Sequence, residues 1–132
     1  MNELVSVITP SYNSASFIED SIASVIQQTY YNWELIIVDD ASTDHSKDII
    51  KRMAKKDKRI LPIFLSNNSG SAIARNTAIN NSKGRYIAFL DADDIWRREK
   101  LEKQIAFMKE NHFAFSFTSY QPISEDRKKL YR

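Results

Sequence analysis

A chain of 132 residues with 42% apolar side chains can fill one hydrophobic core, so a single compact domain is expected. Nineteen basic against 17 acidic residues leave a net charge of +2, which argues against both a nucleic-acid surface and an acidic tail. No cysteine is present to build disulfides or a thiolate zinc site, and two glycines, Gly70 and Gly84, are too few for a dinucleotide fingerprint or a phosphate-cradling P-loop.

The N-terminus, Met1-Asn2-Glu3-Leu4, lacks the basic start and apolar run of a signal peptide, and no later run has the length of a membrane span. A soluble, cytoplasmic domain is expected. The first strand is Val5-Ser6-Val7-Ile8, followed by the polar stretch Thr9-Pro10-Ser11-Tyr12-Asn13. A helix comes next. Its apolar stripe is Ile18, Ile22, Val25 and Ile26, and Ser16 with Glu19 makes a capping box at its start. Leu35-Ile36-Ile37-Val38 forms the second strand and ends in Asp39-Asp40. Ile49, Ile50 and Met53 mark a second helix. The third strand, Ile60 to Leu65, runs into Ser66-Asn67-Asn68, and a third helix carries Ile73, Ala74, Thr77 and Ala78 with Gly84 as its stop. Tyr86 to Leu90 is the fourth strand, entering Asp91-Ala92-Asp93-Asp94. Leu101, Ile105 and Met108 give a fourth helix, and Phe113 to Phe117 a fifth strand. Residues 121 to 132 are polar and charged and read as a surface or frayed tail.

The near-continuous apolarity of the strands marks them as buried on both faces. Strands alternating with helices predict an α/β fold, an open and mostly parallel sheet flanked by helices. Such sheets bind ligands beyond the carboxyl ends of their strands, where Tyr12, Asp39, Asp40, Asn67, Asn68 and Asp91 to Asp94 all fall. Five carboxylates on one edge repel one another unless a cation sits among them or their pKa values rise. A turn at Asp91-Ala92-Asp93 can aim both side chains at one hard cation, Mg²⁺ or Mn²⁺, leaving coordination positions for phosphate oxygens.

Other features have simpler readings beside the functional ones. Asp44 reads as a helix cap. Tyr12 alone is better read as packing than as stacking on a base, and Gly70 as a turn rather than a phosphate contact. Arg75, one turn into the third helix, is placed to reach a nucleotide or a carboxylate, or else is solvated. His45 and His112 read as surface residues, and Lys51, Arg52, Lys55, Lys56, Lys58 and Arg59 as the solvated side of the second helix.

Val5 to Asn13, Ile37 to Asp44 (Ile-Val-Asp-Asp-Ala-Ser-Thr-Asp), Asn68-Ser69-Gly70, Ala74-Arg75-Asn76 and Phe89 to Asp94 together resemble family 2 glycosyltransferases over about Val5 to Gln104. The resemblance implies a Rossmann-like fold of the GT-A type and a nucleotide-diphosphate sugar donor, usually a UDP-sugar. It also implies inversion at the anomeric carbon and a saccharide or lipid-linked acceptor, as in surface-polysaccharide assembly. By matching position, Pro10 and Tyr12 go to the base, Asp40 to the uracil edge with Asp39 close by, and Arg75 to the nucleotide pocket. Asp91 faces ribose or sugar, Asp93 ligates the Mn²⁺ or Mg²⁺ bridging the diphosphate, and Asp94 is a neighbour without an assigned role. Many relatives carry a proline where this chain has Trp96-Arg97-Arg98.

On this resemblance residues 1–120 are the nucleotide-sugar-binding part, and 121–132 a polar tail or the start of an acceptor-binding half. The catalytic base belongs to that second half and is assigned to no residue here. A full-length protein of this kind can associate peripherally with the inner face of the membrane. Two other classes remain open: a phosphatase of the haloacid-dehalogenase type, with an Asp-x-Asp after an apolar strand, and a non-catalytic nucleotide-sugar-binding module.

Overall fold

Alternation along the two central strands decides the architecture. In β1 (Val5–Ser11) and β2 (Trp33–Asp39), Val5, Val7, Leu35 and Ile37 face one side of the sheet, while Ile8, Ile36 and Val38 face the other. All are buried, so both faces must be covered. The first face packs on α1 (Ile18–Ile26), α2 (Ser46–Lys56) and α4 (Lys100–Asn111) through Ile18, Ile22, Val25, Ile50, Met53, Leu101 and Ile105. The second packs on Ala74 and Ala78 of α3 (Ser71–Asn80), whose short side chains let the helix lie close. The computed structural model describes residues 2–131; Met1 and Arg132, the outer ends of the expected 1–120 and 121–132 segments, lie outside the described residues.

The sheet is parallel, in the order β3-β2-β1-β4, with β3 at Ile60–Phe64 and β4 at Tyr86–Phe89. The chain steps outward from β1 through β2 to β3 and then crosses to the other side of β1 for β4. Between β1 and β4, therefore, lies a topological switch point, where the connecting loops part and leave a crevice.

Four sequence expectations are corrected. Phe113 to Phe117 is not a strand: it leaves α4 through the left-handed His112 and runs exposed, with no partner strand among the described residues to supply a ladder. β3 and β4 are half-buried rather than buried twice over, because each is an edge strand, and Ile87 and Phe89 stay exposed. The Ser16–Glu19 capping box does not form. Phe17 holds the cap position without a side-chain bond, the Ser14 carbonyl accepts from the Phe17 and Ile18 N–H groups, and the Glu19 carboxylate is taken by Arg52 at 2.7 Å. Nor does Gly84 stop α3, which ends at Asn80 with Asn81 as its cap. Gly84 is needed instead because a Cβ there would lie 2.5 Å from the Ser6 backbone nitrogen.

The tail is more ordered than expected. Ile123 and Leu130 form an antiparallel bridge, and Arg127 at the turn pairs with Asp20 and lies over the Phe17 ring. No helix among the described residues is long and apolar enough to cross a membrane.

Candidate nucleotide-sugar site

The carboxyl ends of β1, β2 and β4 open into a cleft of about 500 Å³ at the switch point. Pro10, Tyr12, Asp40, Arg75, Asp91 and Asp93 all line it, and Asp39, next to Asp40, is fully buried. Tyr12 is half exposed. Half of its surface packs on the protein and the other half is open to the cleft. Asn68, read from the sequence as part of the ligand-binding edge, also lines the cleft, and so do Phe17 and Ser71, which sequence reading passed over. Phe17 was the more visible of the two, an apolar side chain standing just ahead of the helical stripe.

Much of the expected repulsion among the acids is relieved by the protein itself. Asp40 accepts the backbone N–H groups of Ser69 at 2.7 Å and Gly70 at 2.8 Å, one on each oxygen. Gly70 can present its N–H because its φ of 93° suits glycine alone. Its N–H thus meets a carboxylate of the chain. One oxygen of Asp39 accepts the Ser42 N–H at 2.9 Å, and the other is buried without a partner. Asp91 pairs with Arg75 at 2.8 Å, which places the arginine in the cleft rather than in solvent. Asp93 is exposed, with no bond to the protein among the described residues. Beside it, burial raises the Asp94 pKa, and the charges of Asp93 and Asp91 push it further the same way.

The loops that carry these groups are tied to each other. Asn13, itself at a positive φ of 46°, accepts the Thr43 N–H at 2.9 Å through its side chain, while its own N–H donates to Ser42 Oγ at 2.9 Å. Asp44 does not hold the cap position of α2, which falls to His45, but its carboxylate accepts the N–H of Ser46, the first helical residue, and that of Ala15. Burial alone would raise its pKa, but the bonds from Ser46 and Ala15 and the charge of His45 outweigh it, so the carboxyl sits below its usual range. His45 and His112 are exposed. Of the basic run, Arg59 departs from a solvated helix face: it starts β3's approach, pairs with Asp57 at 2.7 Å and lies 3.6 Å over the Trp33 ring.

Among the described residues no three His, Asp or Glu side chains come together to hold a metal ion unaided. The donor set fits a different arrangement. The Asp91 carbonyl accepts the Asp94 N–H at 3.0 Å, so residues 91 to 94 form a turn that brings both Asp91 and Asp93 to the cleft wall. Two hard carboxylates on one wall suit a Mg²⁺ or Mn²⁺ that takes its remaining oxygens from a ligand. A second hollow, of about 560 Å³ between Glu3, Arg85, Met108 and His112, lies by the amino ends of β1 and β4 and has no such pair.

The family model for glycosyl transferase family 2 matches residues 6–132. The chain belongs to glycosyl transferase family 2. That membership sets aside the phosphatase reading. The chain is 54% identical over 123 residues to TuaG of Bacillus subtilis, whose name assigns it provisionally, as a glycosyltransferase, to teichuronic acid biosynthesis; the match covers 93% of this chain and 49% of TuaG. It is 46% identical over 123 residues to WfgD of Escherichia coli, a UDP-Glc:alpha-D-GlcNAc-diphosphoundecaprenol beta-1,3-glucosyltransferase, covering 93% and 48%. The chain thus spans about half the length of these curated relatives.

Among solved structures, S. aureus TarS 1-349 in complex with UDP superposes with a TM-score of 0.77 and 33% identity, over 82% of this chain and 32% of that one. The mannosyltransferase PcManGT from Pyrobaculum calidifontis, in complex with GDP-Man and Mn²⁺, gives a TM-score of 0.74 and 30% identity, over 79% and 32%. The fold of the family 2 chain is accordingly the Rossmann-like GT-A arrangement expected from its sequence.

Proposed function

We propose that this chain is the donor-binding part of a glycosyltransferase that moves a sugar from a nucleotide-diphosphate sugar, a UDP-sugar, to a saccharide or lipid-linked acceptor. The observation that carries the reading is the meeting of Tyr12, Asp40, Arg75, Asp91 and Asp93 around one cleft, from three strand ends and one helix. In that cleft Pro10 and Tyr12 receive the base, and Asp40, held rigid by Ser69 and Gly70, accepts the uracil N–H on a remaining lone pair. Asp39 backs it. Arg75 lines the nucleotide pocket and orients Asp91 toward ribose or sugar, and Asp93 with Asp91 would hold Mn²⁺ or Mg²⁺. Such a cation, when bound, neutralises charge on the departing diphosphate.

The relatives support the donor and acceptor classes: WfgD uses UDP-Glc and a diphosphoundecaprenol-linked sugar by name, and TarS is seen with UDP. PcManGT with Mn²⁺ supports the metal. We assign the acceptor site and the base that deprotonates the attacking hydroxyl, with inversion, to sequence outside these residues, in keeping with the half-length match. Residues 1–120 are then the donor unit, and a full-length protein works in the cytoplasm, peripherally on the inner membrane face where a lipid-linked acceptor lies. By itself the chain acts as a nucleotide-sugar-binding module.

Calorimetric titration with UDP, GDP and UDP-sugars, with and without Mn²⁺, tests this. Metal-dependent binding of uridine nucleotides is expected, and both Asp93→Ala and Asp40→Ala should abolish it. Equal binding by the alanine variants would overturn the assigned roles.

A further inference from the structure

One face of α1 breaks the rule that helix residues turned inward are apolar. Ser21 and Ser24 within the helix and Gln28 just beyond its end, spaced three and four residues apart, are all buried, in a stripe beside Ile18, Ile22 and Val25. Each is fully engaged, and each reaches the segment that follows β4. Ser21 Oγ lies 2.7 Å from the Ala92 carbonyl and 2.6 Å from that of Asp94, so its one proton is shared between two acceptors. Ser24 Oγ accepts the Trp96 N–H at 3.2 Å and donates to the Ser21 carbonyl at 2.7 Å. Gln28 Nε2 donates to the Arg97 carbonyl at 2.8 Å, and its Oε1 accepts the Leu101 N–H at 3.0 Å.

The carbonyls held by Ser21 belong to the residues on either side of Asp93. We infer that Ser21 is a positioning residue that fixes the Asp91–Asp94 turn from behind, so that the Asp91 and Asp93 carboxylates face the cleft at the spacing a divalent cation and a diphosphate need. Gln28 anchors the far end of the same loop, at Arg97, and Ser24 its middle. This rests on the donor-site reading proposed above. The reason a hydroxyl is required is geometric. Only a short donor that reaches two carbonyls turned toward α1 can keep the side chains of the intervening residue turned away from it. Supporting bonds of this kind, one step behind a metal ligand, change metal affinity by about ten- to a hundredfold when removed.

The test compares the 132-residue chain with Ser21→Ala and Ser21→Thr, the second keeping the hydroxyl. Two readouts are taken: amide hydrogen exchange across residues 91–101, and the dissociation constant for UDP with and without Mn²⁺. Ser21→Ala should speed exchange in that loop, weaken UDP binding about tenfold in Mn²⁺ and leave the weaker metal-free binding of UDP unchanged. Ser21→Thr should recover at least part of the metal-dependent affinity. Unchanged loop exchange, or equal losses with and without metal, would overturn the inference while leaving the donor-site reading intact. Absence of Mn²⁺-dependent UDP binding in the unsubstituted chain would overturn the donor-site reading and the inference with it.

Discussion

Asp40 and Asp93 sit on the same cleft and do opposite things to the fold. Asp40 is buried and holds two backbone N–H groups of the loop before α3, so its removal leaves donors without partners. Asp93 is exposed and holds nothing among the described residues. Asp40→Ala should therefore lower stability by about 1–3 kcal/mol, whereas Asp93→Ala should stay within about 0.5 kcal/mol of the parent chain. Urea unfolding followed by circular dichroism measures both. A large loss in Asp93→Ala would mean that this carboxylate supports the turn rather than facing a ligand. The acids themselves were legible in the sequence because carboxylates from two separate strand ends crowd onto the same edge of an open sheet. Their partners were not: the Ser69 and Gly70 N–H groups are backbone, and nothing in the sequence names a backbone donor. Ser21 was missed for another reason. A serine on a helix reads as solvated unless its position on the apolar stripe is noticed, and only the fold shows which carbonyls lie opposite.

At the scale of elements, the join between α2 and β3 depends on one ion pair. Asp57 caps the end of α2, and its carboxylate takes three bonds from the Arg59 side chain and one from the Arg59 N–H at 3.0 Å. Arg59 in turn covers Trp33 at the start of β2 and donates to the Tyr31 carbonyl at 2.9 Å. The side-chain bonds from Arg59 outweigh burial and hold the Asp57 pKa below its ordinary value of 3.8. A lowered carboxyl pKa in the folded state means that the unfolded chain binds the proton first as pH falls. The stabilisation is complete above about pH 5 and disappears as pH drops through the folded-state value. Asp57→Asn should then melt below the parent at pH 7, with the gap closing toward pH 3; a gap independent of pH would place the effect in packing rather than charge. Elements such as this were read unevenly. β1 and β2 were plain, because Val5 to Ile8 and Leu35 to Val38 are apolar on both sides and are the central strands. The edge strands look alike in sequence and differ only in their neighbours, a property the chain order does not carry.

The order β3-β2-β1-β4 leaves β4 with a free edge, and the apolar groups around it are not hidden. Ile87 and Phe89 project from β4 half exposed, Phe107 and Phe113 meet at a tilt with ring centroids 5.5 Å apart, and Phe115 and Phe117 are 77% and 85% exposed. Unpaired backbone beside uncovered aromatic surface is a template for association between chains. The sequence Phe113 to Phe117 has the alternation of a strand and lacks only a partner to pair with. Its strand propensity and its exposure are thus two sides of one fact: extended chain becomes a strand when another edge satisfies its N–H and C=O groups. The chain at micromolar concentration should self-associate reversibly, with a sedimentation coefficient that rises with concentration. Replacing Phe115 and Phe117 together by serine should return it to a monomer, because each removes a large apolar group that is mostly exposed in the folded chain. UDP binding should be unaffected, since neither residue lines the cleft. A parent chain that stays monomeric, or a double variant that associates as strongly, would show that the free edge is protected by something other than its side chains.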